Sequence, residues 1–191
     1  SSLVPLAGTD GGVLAEKLAA FRKQFALDMG VVLPPVRVRE DKRQGPDRYE
    51  IRLFGTRVAD GEARTGWLLA INPGGARGGL EGVTAFDPAY GLPAVWIVEE
   101  RRVSAKAEGY TVVDASTVVA THLNQLLLKQ MHDLLGFEEV QNLLQGLAKQ
   151  SPKLAEELVP TTLSLNALLT VLKNLLQEKV PIRDMRSIAI A

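Results

Sequence analysis

The sequence predicts an α+β body followed by a small α-helical subdomain, and three observations point there. Apolar residues recur at helical spacing in two long segments, one over residues 11–29 and one from Ser116 onward. Between them the texture switches to short runs, either alternating apolar and polar or continuously apolar, separated by Gly- and Pro-rich turns. Beyond residue 136 the pattern is helical and leucine-rich, punctuated by Pro152, Pro160 and Pro181.

Val13, Leu14, Leu18, Phe21, Phe25 and Met29 form a stripe that stops at Gly30. The spacing predicts a helix over 11–29, with Asp10 as N-cap and Gly30 as the left-handed residue that ends it. Pro34-Pro35 forces extended chain, and Val36-Arg37-Val38-Arg39 alternates with the period of a half-buried strand. After a polar turn at Gly45-Pro46-Asp47, Tyr49, Ile51 and Leu53 alternate with Glu50 and Arg52, and a short Val58-Ala59 piece follows Gly55. Trp67 to Ile71 and Ala94 to Val98 are dense apolar runs that read as buried strands. The stretch between them, rich in Gly and Pro, reads as turns, and Thr111-Val112-Val113 supplies one more strand. Ser116 then caps a long helix whose face carries Val119, Leu123, Leu126, Leu127 and Leu134 and which ends at Gly136. Val140, Leu143, Leu144 and Leu147 mark one later helical face, and Leu165, Leu168, Leu169, Leu172, Leu175 and Leu176 another.

Composition removes several function classes. The chain has 191 residues, 46% hydrophobic, with 22 Lys+Arg against 22 Asp+Glu and no Cys. That balance excludes a disordered or collagen-like chain and leaves no clustered basic excess for nucleic acid. Without Cys there is no disulfide, thiol nucleophile or Cys-based zinc site. No basic-then-apolar leader and no apolar run near the roughly 18 residues of a membrane helix is present, so the expectation is a soluble polypeptide. The apolar end, Ser187-Ile188-Ala189-Ile190-Ala191, carries no Gly or Pro stop and reads as a helix cut in mid-course, hence as a piece of something longer.

Most candidate chemistry has a plainer account. His122 and His132 stand nearly three turns apart on one helix, about 15 Å, too far to share a metal. A relay of Ser116, Asp114 and His122 can be drawn, but no G-x-S-x-G elbow surrounds Ser116, and a helix cap explains it better. Gly74-Gly75 and Gly78-Gly79 lack the Lys-Ser/Thr and following helix of a phosphate loop and fit a loop or hairpin tip. Glu99-Glu100-Arg101-Arg102 is self-compensating and fits a solvated face or a rim of polar contacts better than a steering field. The three terminal helices have the outline of a winged-helix DNA reader, but with sparse basic content.

One segment asks for more. Phe86-Asp87-Pro88-Ala89-Tyr90-Gly91-Leu92-Pro93 sets two aromatics and two prolines in a turn just before a buried strand. In one reading Asp87 accepts backbone N–H groups in an Asx-Pro turn and Tyr90 folds back as a lid on the core. In the other, Tyr90 lines a shallow apolar depression that binds a partner chain, with Asp87 at its edge.

Longer runs bring a family into view. Leu69-Ala70-Ile71-Asn72-Pro73-Gly74, Asp87-Pro88-Ala89-Tyr90-Gly91-Leu92-Pro93-Ala94-Val95-Trp96-Ile97, Gly109-Tyr110-Thr111-Val112-Val113-Asp114, Ser116-Thr117-Val118-Val119-Ala120-Thr121-His122-Leu123 and Pro181-Ile182-Arg183-Asp184-Met185-Arg186 occur in order. Together they resemble the cytoplasmic region of the FHIPEP family of type III export-gate proteins, the FlhA/LcrD/InvA type, and the first two favour its flagellar branch. The resemblance implies a discontinuous α/β first subdomain (1–65 plus 114–135), an inserted small β-rich second subdomain (66–113) and a truncated helical third (136–191), the family's fourth being absent. It implies a non-enzymatic docking platform without cofactor, metal or nucleic acid. In that family the region forms a homo-nonameric ring on the cytoplasmic side of the bacterial inner membrane, beside other export components. The ring receives flagellar export chaperones with filament, cap and hook-junction substrates.

Carried over onto this sequence, the chaperone-binding positions are Asp87, Tyr90, where the family usually has Phe, and Thr121, with Ile71, Pro73 and Val118 lining the same depression. The extra hydroxyl of Tyr90 needs a partner or exposure, and Ile190 stands where the family tends to have Glu. Asp87→Ala or Tyr90→Ala is expected to weaken docking with little loss of stability. The alternatives are a small hydrolase or nucleotide-binding domain using Asp87, Asp114 and His122, and a purely structural oligomerisation module.

Overall fold

A computed structural model describes residues 12–33, 36–38, 45, 47–77 and 79–191. The expected N-cap Asp10, the Pro34-Pro35 pair, Arg39 and Gly78 lie outside the described residues. The chain divides into two compact units. One takes the described residues of Ser1–Leu18 and Val36–Leu126, the other those of Ala19–Pro35 and Leu127–Ala191. The fold is α+β, as the pattern of helical and alternating segments predicts.

Helix α1 spans Val13–Met29, with Glu16 in its first turn, where a carboxylate complements the helix dipole. It stops because Gly30 takes φ 77°, donating its N–H to the Ala26 carbonyl at 3.0 Å. Arg183 packs against this glycine: a Cβ there would lie 2.5 Å from the Arg183 backbone nitrogen. Of the strand expected at 36–39, the described residues Val36, Arg37 and Val38 are irregular and exposed instead of extended in a ladder. Alternation makes a strand only where a neighbour completes the ladder, and none pairs with this segment among the described residues.

Strands β1 (Arg48–Leu53) and β2 (Thr56–Glu62) form an antiparallel hairpin, β2 running further than the expected Val58-Ala59. Phe54 (φ 49°) and Gly55 (φ 83°) make its two-residue turn, both left-handed, the geometry that matches strand twist. Tyr49 pairs with Gly61, and a Cβ at Gly61 would lie 2.5 Å from the Tyr49 hydroxyl, so the glycine makes room for that ring.

The second sheet is antiparallel in the order β4-β5-β3-β6, from β3 (Leu68–Ile71), β4 (Val83–Phe86), β5 (Pro93–Ile97) and β6 (Thr111–Asp114). β4 lies inside the stretch expected to be turns. It is an edge strand, largely exposed, so its sequence lacks the apolar density of the inner strands. A 3₁₀ turn (Glu99–Arg101) leads into helix α2 (Arg102–Ala107), also unexpected, and after β6 comes helix α3 (Ala115–Leu134). Successive residues of β3 point to opposite faces. Leu69 packs with Trp96, Ala94, Ala115 and Val118, while Leu68 and Ala70 pack with Ile97, Ala105 and Tyr110. Burial on both faces is why the inner strands read as continuous apolar runs.

The other unit carries helices α4 (Phe137–Gln150), α5 (Pro152–Glu156), α6 (Leu165–Gln177) and α7 (Met185–Ile190). Leu168, Leu172 and Leu176 on α6, Val140 and Leu147 on α4, and Met131, Leu135, Ile182 and Met185 are buried. Ser164 caps α6 by accepting the Ala167 N–H at 3.1 Å, and Asp184 caps α7 by accepting that of Ser187 at 3.1 Å. No helix among the described residues is long and apolar enough to cross a membrane.

Candidate functional site

The β4–β5 connection is a tight turn built by Asp87. Its N–H donates to the Leu92 carbonyl at 2.8 Å, and its own carbonyl accepts from Gly91 at 2.7 Å. The carboxylate accepts the Tyr90 N–H at 2.9 Å and, more weakly, the Ala89 N–H at 3.4 Å. Asp87 is 3% exposed. Its acceptor role matches the Asx-Pro reading, and removing the carboxylate leaves the turn's N–H groups without it, so Asp87→Ala disturbs folding as well as surface chemistry. Tyr90 does not fold back as a lid: it is 60% exposed.

Tyr90 forms one wall of a shallow cavity of about 230 Å³ lined by Ile71, Pro73, Asp87, Tyr90, Leu92, Thr111, Val113, Val118 and Thr121. The lining comes from the end of β3, the turn after β4, strand β6 and the first turns of α3. All six residues singled out in the sequence face this one depression. Leu92, Thr111 and Val113 were not foreseen. Strand pairing would have found two of them, since Thr111 is the ladder partner of Ile71 and Val113 lies two residues along the same face. The Tyr90 hydroxyl accepts a hydrogen bond from the half-buried Gln125 side chain at 2.6 Å. That bond supplies the partner the extra hydroxyl requires.

The residues of the drawn relay are separately engaged. Asp114, not Ser116, caps α3: its carboxylate accepts the Thr117 N–H at 2.8 Å and the Ser116 hydroxyl. Lys17 reaches the same corner, 3.1 Å from Asp114, 2.7 Å from the Ser116 hydroxyl and 2.6 Å from that of Thr117. Burial alone would raise the Asp114 pKa, but hydrogen bonds from Ser116, Thr117 and Lys17 outweigh it and hold the group well below the usual carboxylate range. The buried His122 places Nδ1 2.8 Å from the Tyr49 hydroxyl. Burial, and secondarily the charges of Asp87 and Asp60, push the Tyr49 phenol far above its ordinary value, so it keeps its proton. Among the described residues no group of three His, Cys, Asp or Glu side chains could hold a metal. Arg102 pairs with Glu99 at 2.6 Å and Arg101 with Glu81, both at exposed positions where such pairs add little.

A family model for the FHIPEP family matches residues 1–191. The chain belongs to the FHIPEP family. FHIPEP relatives include the flagellar biosynthesis protein FlhA of Escherichia coli (strain K12), 48% identical over 93% of this chain and 26% of the relative. FlhA of Bacillus subtilis (strain 168) is 38% identical over 97% of this chain and 28% of the relative. The chain thus spans about a quarter of the length of the curated relatives it matches. Solved structures share the fold. The Chlamydia pneumoniae CdsV protein does so with a TM-score of 0.80 at 23% identity, covering 98% of this chain and 60% of that one. Nonameric EPEC SctV-C follows with a TM-score of 0.70 at 20% identity, covering 97% and 55%.

Proposed function

We propose that this chain is part of the cytoplasmic docking platform of a flagellar type III export gate, and that its depression receives export chaperones loaded with filament, cap or hook-junction proteins. The observation that carries the reading is the convergence of Ile71, Pro73, Asp87, Tyr90, Val118 and Thr121, far apart in sequence, on one apolar-floored depression with a polar rim. Ile71, Leu92, Val113 and Val118 offer a partner apolar contact, and Tyr90 offers a large side chain with few rotamers to lose. A shallow site of this size suits a small interface and modest affinity, which lets cargo move on.

The role is binding, without a cofactor or a catalytic group. The parent protein is anchored in the bacterial inner membrane with this region facing the cytoplasm, and full-length copies assemble as a homo-nonamer beside other export components. Family membership supports that placement.

Calorimetric titration of a purified flagellar chaperone–substrate complex into the wild-type chain and Tyr90→Ala tests the proposal. Truncating an aromatic anchor should weaken binding about tenfold or more with an unchanged melting temperature. Equal affinity for both proteins would falsify it, and a change in self-association without a change in chaperone affinity would favour an oligomerisation module.

A further inference from the structure

Tyr90 and Gln125 give the rim of the depression a hydrogen-bonding polarity. The Gln125 amide nitrogen donates to the Tyr90 oxygen at 2.6 Å. A phenol has one hydrogen to give and lone pairs to receive. With a lone pair occupied by Gln125, the phenol keeps its own hydrogen to donate to a partner that fills the depression. Gln125 stands one helical turn beyond Thr121 on α3, so it braces the tyrosine from the same helix face that lines the site. The neighbouring Asp87 is buried, and its carboxylate accepts the backbone N–H groups of Ala89 and Tyr90.

We propose that Gln125 acts through Tyr90 as a specificity-determining pair, selecting a chaperone surface whose apolar anchor is flanked by an acceptor oxygen, a carboxylate or a side-chain amide. The inference rests on the docking reading and adds to it the chemistry of the occupant. A phenylalanine at position 90 would fill the depression equally well and present no donor. An acceptor beside the partner's anchor would then lose its hydrogen bond on burial.

Reversing the polarity separates this role from simple bracing. In Gln125→Glu the side chain keeps its length and can still bond to Tyr90, but an ionised carboxylate only accepts, so the phenol hydrogen turns inward. Gln125→Met removes the bond and leaves that hydrogen free to face the partner. Calorimetric titration with a purified flagellar chaperone–substrate complex at pH 7.5 should show Tyr90→Phe and Gln125→Glu each weaker by a factor of about five to ten, Gln125→Met weaker by less, and the double variant Tyr90→Phe/Gln125→Glu no weaker than Tyr90→Phe. Wild-type affinity in Gln125→Glu or in Tyr90→Phe, alongside weakened Tyr90→Ala, overturns the selectivity and leaves docking intact. An ordering in which Gln125→Met is as weak as Gln125→Glu reduces Gln125 to a brace and also overturns it. Unchanged affinity in Tyr90→Ala removes the docking reading itself.

Discussion

Asp87 and Tyr90 sit three residues apart and do different work. Asp87 builds the turn from inside, 3% exposed, whereas Tyr90 stands on its outside, 60% exposed. Asp87→Ala should therefore lower folding stability by about 1–2 kcal/mol, and Asp87→Asn by less because an amide oxygen can still accept. Urea denaturation of the two variants checks this, and equal stability of wild type and Asp87→Ala would remove the turn-building role. Asp114 makes a prediction about acid. Its folded pKa lies below the unfolded value of about 3.9, so its contribution is complete above that pH and fades as pH falls toward the folded value. The stability gap between wild type and Asp114→Asn should be widest above about pH 5 and close progressively below pH 4. Thermal melts at stepped pH give the gap directly, and a gap that holds constant down to pH 3 contradicts the assignment. At this level the sequence was informative about the turn and silent about burial. The D-P-A-Y run announced a turn, but nothing in it distinguishes an acid facing the core from one facing water.

Helices with full stripes and clear stops were legible. The stop at Gly30 follows from its left-handed backbone, and its contact with Arg183 adds a second reason for the missing side chain. Gly30→Ala combines a strained backbone with a clash against main chain that cannot swing aside, and should destabilise by about 2 kcal/mol or more. Chemical denaturation of Gly30→Ala measures this, and a loss under about 0.5 kcal/mol would mean the Arg183 segment yields freely. Strands were read less evenly. β1, β3, β5 and β6 show alternation or apolar density, but β4 is an exposed edge and its short sequence resembles the loops around it. Residues 36–38 show the converse, alternation with no partner strand among the described residues. The cap of α3 shifted by two residues because Asp114 and Ser116 are both good caps, and Lys17 favours the carboxylate.

For the whole chain we propose a discontinuous first subdomain (1–65 plus 114–135), an inserted second (66–113) and a helical third (136–191). Leu68 and Asp114 are ladder partners, so the ends of the insert lie side by side, as an insertion requires. Replacing 66–113 by a short Gly-Ser linker should leave the helices beyond residue 136 folded while exposing the Ala115 and Val118 face that packs on Trp96. Far-ultraviolet circular dichroism reads the outcome; a collapse of the helical signal would show that the insert is indispensable to them. Family membership and the α+β class were determined by the sequence alone, because hydrophobic periodicity and long ordered motifs are written along the chain. The resemblance grouped six residues on one depression; that Leu92, Thr111 and Val113 join them, and how the wall is built, was decided only by tertiary structure. Ile71, Asp87, Tyr90, Thr111 and Thr121 become neighbours through strand register and the seating of α3 on one sheet face. The Tyr90–Gln125 bond, across 35 positions of sequence, has no local signature, since such contacts depend on how packed elements bring distant side chains within reach.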